Sequence, residues 1–217
     1  NRRNGIFRKS GINPMSVLSD AWDYFLHPPN SAISPLPNEE WLKKGVAVLL
    51  KRDDLLFVPS HPEIAGNKWR KMWGTFAQYD RENSCPLITQ GGIHSNHLVA
   101  LAAAGHFLGV KTVGIVRGEN KIDLSPTLQK AVYYGMELHF ISRNEYKALA
   151  SDFLPPFLLD KYPKFHFIPE GGSNEASALG MGHLMHELND YFSREELKSG
   201  KIIAAVPVGT GGTMKGL

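Results

Sequence analysis

Short β-prone runs alternating with longer segments of helical period limit how this chain can fold more than any other feature. The runs are Val46 to Leu50, Leu87 to Thr89, Thr112 to Val116, Glu137 to Ile141, Phe165 to Ile168 and Ile202 to Val206. Between them Trp69, Met72, Trp73 and Phe76 recur at i, i+3, i+4 and i+7, as do Leu98, Leu101, Ala102 and Gly105. Each of these segments reads as a helix with one buried face. A third helix is predicted from Ser125-Pro126, where the serine oxygen caps a free amide and proline already has a helical φ. A fourth follows Ser173-Asn174 and carries Leu184 and Leu188 on its inner face. The pattern specifies an α/β protein with a largely parallel sheet.

Composition narrows the function classes. With 42% hydrophobic and 21% charged residues, the 217-residue chain suits a globular protein of one or two domains. The net charge of +3 comes from basic and acidic residues spread along the sequence, so no nucleic-acid partner is expected. No apolar stretch reaches the roughly 18 residues of a membrane span, and no membrane partner is expected. Cys85 has no second cysteine to pair with and reads as a small buried residue. Residues 1–19 hold Arg2, Arg3, Arg8 and Lys9 without an acid, which fits a presequence remnant or a plain basic terminus. The expected location is cytoplasmic, or organellar if the stretch is such a remnant. The chain begins without Met and stops at Leu217 just after a glycine-rich run, so it reads as a fragment.

Unusual residues gather after strands, where open parallel sheets bind ligands. Lys51-Arg52-Asp53-Asp54 follows the first run, Gly91-Gly92-Ile93-His94-Ser95-Asn96-His97 the second, and Gly209-Thr210-Gly211-Gly212-Thr213 the last. The last can aim successive amides at an anion at a helix start, or form a plain tight turn. Met214 stands where a P-loop or a dinucleotide fingerprint needs glycine, which speaks against both, and against a dinucleotide-binding oxidoreductase. Gly66-Asn67-Lys68 leads into a helix that also carries Lys71. Two lysines there oppose the helix dipole, so the run is either a solvated basic end or an anion site. His94 with His97, and His183 with His186, each lack two further ligands at metal-binding spacing, so no metal is expected.

Taken together, these runs resemble the 1-aminocyclopropane-1-carboxylate deaminase and D-cysteine desulfhydrase family of fold-type-II, tryptophan synthase β-like, pyridoxal-phosphate enzymes. Gly66-Asn67-Lys68-Trp69-Arg70-Lys71 resembles its cofactor-lysine motif, Ser95-Asn96-His97 its substrate-facing helix start, and Gly209 to Thr213 its phosphate loop. Arg117-Gly118-Glu119 and Glu170 to Asn174 fall where the family has similar loops. The resemblance runs from about Val46 to Leu217. It implies two parallel-sheet α/β domains: a large cofactor-binding domain of residues 46–75 with 166–217, incomplete at its C-terminal end, and a small domain of residues 76–165. Residues 1–45 form a loop-rich extension without a recognised counterpart.

The resemblance also implies roles. Lys68 holds pyridoxal 5'-phosphate as a Schiff base and shuttles the substrate α-proton, while Lys71 helps neutralise the phosphate. Asn96 bonds the cofactor's phenolic oxygen, and Ser95 and His97 engage the substrate carboxylate or assist proton transfer. Gly209, Thr210, Gly211, Gly212 and Thr213 cradle the phosphate. The implied partner is a small amino-acid substrate, and the implied assembly of the full-length protein is a homodimer. His97, where the deaminases carry glutamine, points first to D-cysteine, converted to pyruvate, sulfide and ammonia, and second to 1-aminocyclopropane-1-carboxylate. A reading of another class is a catalytically incompetent fragment or a binding protein.

Overall fold

A computed structural model describes residues 14–118, 123–149, 154–172, 174–193, 196, 198–199, 201–207 and 211–215. The chain opens with α1 (Pro14–Leu26), β1 (Ile33–Leu36), α2 (Glu39–Lys43) and β2 (Val48–Lys51). The hairpin strands β3 (Phe57–Val58) and β4 (His61–Ala65) lead into α3 (Gly66–Ala77). Then come β5 (Leu87–Gly91), α4 (Asn96–Leu108), β6 (Thr112–Arg117), α5 (Pro126–Tyr133), β7 (Glu137–Ile141), α6 (Arg143–Leu149), α7 (Pro156–Lys161) and β8 (His166–Ile168). A 3₁₀ turn (Glu170–Gly172), α8 (Glu175–Tyr191) and α9 (Gly212–Lys215) complete it.

The central sheet is parallel throughout, in the order β7-β6-β5-β8. Every residue of β5 is buried, as expected for a parallel strand covered on both faces. Leu87, Val116 and Ile168 face a core shared with α4, α5, α3 and α1, through Leu98, Leu128, Trp69 and Phe25. Ile88, Val113, Ile115 and Ile141 face a second core with Tyr146 and Leu149 of α6 and Leu158 of α7.

Four expectations change. Ile202 to Val206, predicted to be a strand, is irregular, with Ile203 90% exposed. No described strand lies beside it, and a β-prone run without a ladder partner has nothing to hold it extended. The run at Val46 forms two residues later as β2 and pairs antiparallel with β1, apart from the parallel sheet. The stretch before Val46, expected to be loop-rich, contains the 13-residue helix α1, whose Trp22 and Phe25 enter the core. Residues 166–168, grouped by sequence with the segment running to Leu217, lie as β8 beside β5.

Candidate functional site

The site starts at the turn from β4 into α3. Gly66 has φ 49°, in the left-handed region, and a Cβ on it would lie 2.8 Å from the Asp53 carbonyl oxygen. Glycine is therefore required where the chain enters the lysine helix. Lys68 is exposed and Lys71 half-buried, whereas Trp69 and Arg70 between them are buried. Indole N–H groups of Trp69 and Trp73 donate to the carbonyls of Phe25 and Leu26 at the end of α1, at 3.0 and 2.7 Å. These carbonyls have no partner within their own helix, so α3 is docked by satisfying them.

Beneath the lysines lies a buried ion cluster. The Arg70 guanidinium donates twice to Asp53, both at 2.9 Å, and twice to Glu187 of α8, at 2.7 and 3.1 Å. Lys51 also pairs with Glu187, and Ser31 donates to Asp53 at 2.5 Å. Burial pushes the two carboxyls up, but Arg70, with Ser31 and Lys51, holds both below the usual carboxylate range. Lys51 and Asp53 were expected at a ligand-facing strand end; they serve this cluster instead. Above it, α3 and α8 cross in backbone contact: a Cβ on Gly74 would lie 1.8 Å from the Ala176 carbonyl oxygen, and one on Gly180 1.7 Å from that of Arg70.

The turn after β5 supplies the second element. Ser95 caps α4, its oxygen accepting from the Leu98 amide at 3.4 Å. Asn96 at the helix start is exposed. His97 points inward instead, with its Nε2 3.0 Å from the Thr89 hydroxyl, and that hydroxyl donates to the Ile168 carbonyl at 2.8 Å. Because the hydroxyl proton is committed to Ile168, Nε2–H must be the donor and Nδ1 carries the lone pair. Burial, then the charges of Lys71 and Lys68, lowers the ring to about 4, so it is neutral near pH 7.

Lys68 and Asn96 come together in one pocket of about 460 Å³, with Pro62, Glu63, Ala65, Val99, Pro126, Thr127 and Lys130. Ser95 and His97 are not among its lining residues. The far wall is tied by Glu63 on β4, which accepts from Lys130 Nζ of α5 and from the hydroxyl of Tyr134, the residue just after that helix, both at 2.6 Å. Ser125 fixes the start of α5, accepting from the Leu128 amide and donating to the Ile93 carbonyl.

Lys71 donates weakly to the Gly171 carbonyl at 3.4 Å. Burial, then the charge of Lys68, pulls its ammonium below the ordinary lysine range. Among the described residues neither lysine has a carboxylate partner, so two neighbouring cations stand at a helix N-terminus that itself disfavours them. An anion there removes the conflict, and that donor set fits a phosphate-bearing carbonyl cofactor. Of the predicted phosphate loop, Gly209 and Thr210 lie outside the described residues. Gly211 has φ 81°, Gly212 opens α9, and Thr213 is buried. The helix expected after the loop is present, and α9 packs on α8, the helix that also carries α3.

Sequence reasoning missed the Arg70 cluster and the Glu63 tie. A signal for the first existed: Arg70 interrupts the apolar stripe of α3, and Glu187 that of α8 beside Leu184 and Leu188. One opposite charge on each inner face marks a helix pair that meets there.

No protein-family model matches the chain. The chain is 30% identical over 224 residues to a bifunctional D-cysteine desulfhydrase/1-aminocyclopropane-1-carboxylate deaminase, mitochondrial, of Arabidopsis thaliana, covering 96% of this chain and 54% of that protein. It is 28% identical to a D-cysteine desulfhydrase of Serratia proteamaculans, over 80% of this chain and 52% of that one. The solved structure of an ACC deaminase homologue superposes with a TM-score of 0.63 at 24% identity, covering 94% of this chain and 61% of the other. The chain thus spans about half the length of the curated relatives it matches. A match over 96% of the chain reaches into residues 1–45, where no counterpart was expected.

Proposed function

We propose that Lys68 and Asn96 line the reaction pocket of an amino-acid lyase or deaminase in the 1-aminocyclopropane-1-carboxylate deaminase and D-cysteine desulfhydrase family, the fold-type-II family to which this chain belongs over most of its length. That family uses pyridoxal 5'-phosphate. The observation that carries the proposal is the shared pocket: an exposed lysine and an exposed carboxamide, distant in sequence, meet in one cavity large enough for a cofactor and a small substrate.

Lys68 would hold the cofactor covalently, and its Nζ would take and return the substrate α-proton. Asn96 would donate to the cofactor's phenolic oxygen. Lys71, Gly211, Gly212 and Thr213 would offer charge and amides to its phosphate, together with Gly209 and Thr210. When bound, the cofactor supplies an electron sink for the bond broken at the α-carbon. Ser95 would fix the start of α4 and so orient Asn96. Neutral His97, held by Thr89, would support Lys71 from below, in place of the direct contact with substrate first expected of it.

D-cysteine is the preferred substrate of this reading, consumed with one water to give pyruvate, sulfide and ammonia. The Glu63–Lys130 pair on the pocket wall favours it, because the two charges cancel and leave a wall suited to a small uncharged side chain. The test is a turnover panel of D-cysteine, L-cysteine, D-serine and 1-aminocyclopropane-1-carboxylate with the cofactor-loaded protein. Sulfide from D-cysteine, abolished by Lys68→Ala, is the expected result. Inertness toward all four overturns the reading, and release of ammonia from 1-aminocyclopropane-1-carboxylate alone replaces its substrate.

A further inference from the structure

We propose that Thr127 and Lys130, on the α5 wall of the reaction pocket, form the subsite that takes the substrate's α-carboxylate, a role that rests on the assignment of Lys68 and Asn96 to that pocket. Three of the residues lining it are charged: Glu63, Lys68 and Lys130. An α-amino acid whose nitrogen is bonded to the cofactor keeps its carboxylate as a full negative charge, and a charge taken from water needs a cation or several donors. In the proposed reading Lys68 is committed to the cofactor, Lys71 to its phosphate and Asn96 to its phenolic oxygen. Ser95 and His97 lie outside the lining, one capping α4 and the other turned toward Thr89. Lys130 is the cation that remains. Thr127, half-buried one turn before it on the same side of α5, lies on the same wall.

The hydrogen bonds of this wall leave Lys130 able to serve. Glu63 accepts through separate oxygens, Oε1 from Lys130 Nζ and Oε2 from the Tyr134 hydroxyl, each at 2.6 Å. Its side chain is 14% exposed against 63% for that of Lys130, so Glu63 is the fixed partner and Lys130 the one that moves. An ammonium has three N–H donors, and Glu63 takes one of them. Lys130 can therefore keep Glu63 and still donate to a carboxylate. If it leans further into the pocket, Tyr134 continues to hold Glu63 in place.

The same arrangement sets which substrates the wall accepts. With Lys130 turned to the α-carboxylate, a second anionic group meets Glu63 and finds no further cation among the lining residues, so acidic amino acids are repelled. An amine without a carboxylate gains nothing from Lys130. The wall selects amino acids with one carboxylate and an uncharged side chain over both.

Absorbance titration of the cofactor-loaded protein tests this, with D-alanine, which has no leaving group, and with ethylamine, which is D-alanine without its carboxylate. Lys130→Met should weaken D-alanine about tenfold, the loss of a charge-assisted hydrogen bond, and leave ethylamine unchanged. Lys130→Arg, which keeps the cation, should stay within about threefold of wild type, and Thr127→Val should weaken D-alanine by about threefold. Glu63→Gln keeps an acceptor for Tyr134 while releasing Lys130, so it should tighten D-alanine. Equal losses of D-alanine and ethylamine in Lys130→Met, no loss of either, weaker D-alanine binding in Glu63→Gln, or a wild type that binds D-alanine no more tightly than ethylamine would each overturn the proposal. Borohydride reduction and mass mapping of the same samples separate this from the pocket assignment. A pyridoxyl adduct on Lys68 with D-alanine binding indifferent to Lys130 removes the carboxylate subsite alone, and absence of that adduct removes the assignment beneath it as well.

Discussion

The two sides of the Lys68 pocket are built on opposite terms. Under Lys68, Arg70 is 1% exposed and locked to Asp53 and Glu187 from two other segments of the chain. Across the pocket, the Glu63–Lys130 pair joins a β4 residue to a lysine side chain that is 63% exposed. Removing one partner of a buried cluster strands a charge away from water, whereas a surface pair exchanges with solvent. The difference teaches that the lysine helix is held fixed while the opposite wall is free to adjust around what it binds.

The sharpest break of this contrast is Arg70→Met. It should cost about 3–5 kcal/mol in urea unfolding, because Asp53 and Glu187 are left buried without their partner. Arg70→Lys should recover less than half of that, since one ammonium cannot reproduce the two-pronged contacts. A loss under about 1 kcal/mol for the methionine variant would place the two sides on equal terms.

His97 offers a pH-resolved test of the same buried side. Its ring sits at about 4 in the folded chain against about 6.5 when unfolded, so the unfolded state binds more protons between these values. Stability is fully present above pH 6.5 and falls as pH drops toward 4, by on the order of 3 kcal/mol. His61 and His183 shift in the same direction, so the quantity to read is the difference between wild type and His97→Gln. A glutamine variant with an unchanged pH profile would refute the buried, neutral assignment.

Gly180→Ala should cost about 2 kcal/mol by forcing α3 and α8 apart, and should lower cofactor affinity through the displaced lysines. Thermal unfolding and cofactor titration by absorbance measure the two effects. Smallest of all, Lys130→Ala should cost under about 1 kcal/mol, an effect that shrinks further in high salt. A larger, salt-insensitive cost would show that the far wall is as rigid as the near one.

Sequence alone disclosed the strands of the central sheet and the helices beginning near Ser125 and Asn174, because periodicity and caps are local signals. It singled out Lys68 and Asn96 through their glycine-led turns, and the two side chains line one pocket. It did not show that His97 points inward, because His97 through Gly105 are buried without a break and no polar stripe tells one face of α4 from another. It missed the Arg70 cluster because Arg70 and Glu187 stand 117 residues apart, and only the crossing at Gly74 and Gly180 brings them into contact. Ile202 to Val206 failed for the complementary reason: β-propensity requires a neighbouring strand, which the run does not itself provide.

The central claim is that Lys68, rather than Lys71 one turn along the same helix, is the lysine that bonds the cofactor. Borohydride reduction of the cofactor-loaded protein followed by peptide mass mapping addresses it directly. A pyridoxyl adduct on Lys68 alone is the result expected; an adduct on Lys71, or none on either lysine, would contradict it.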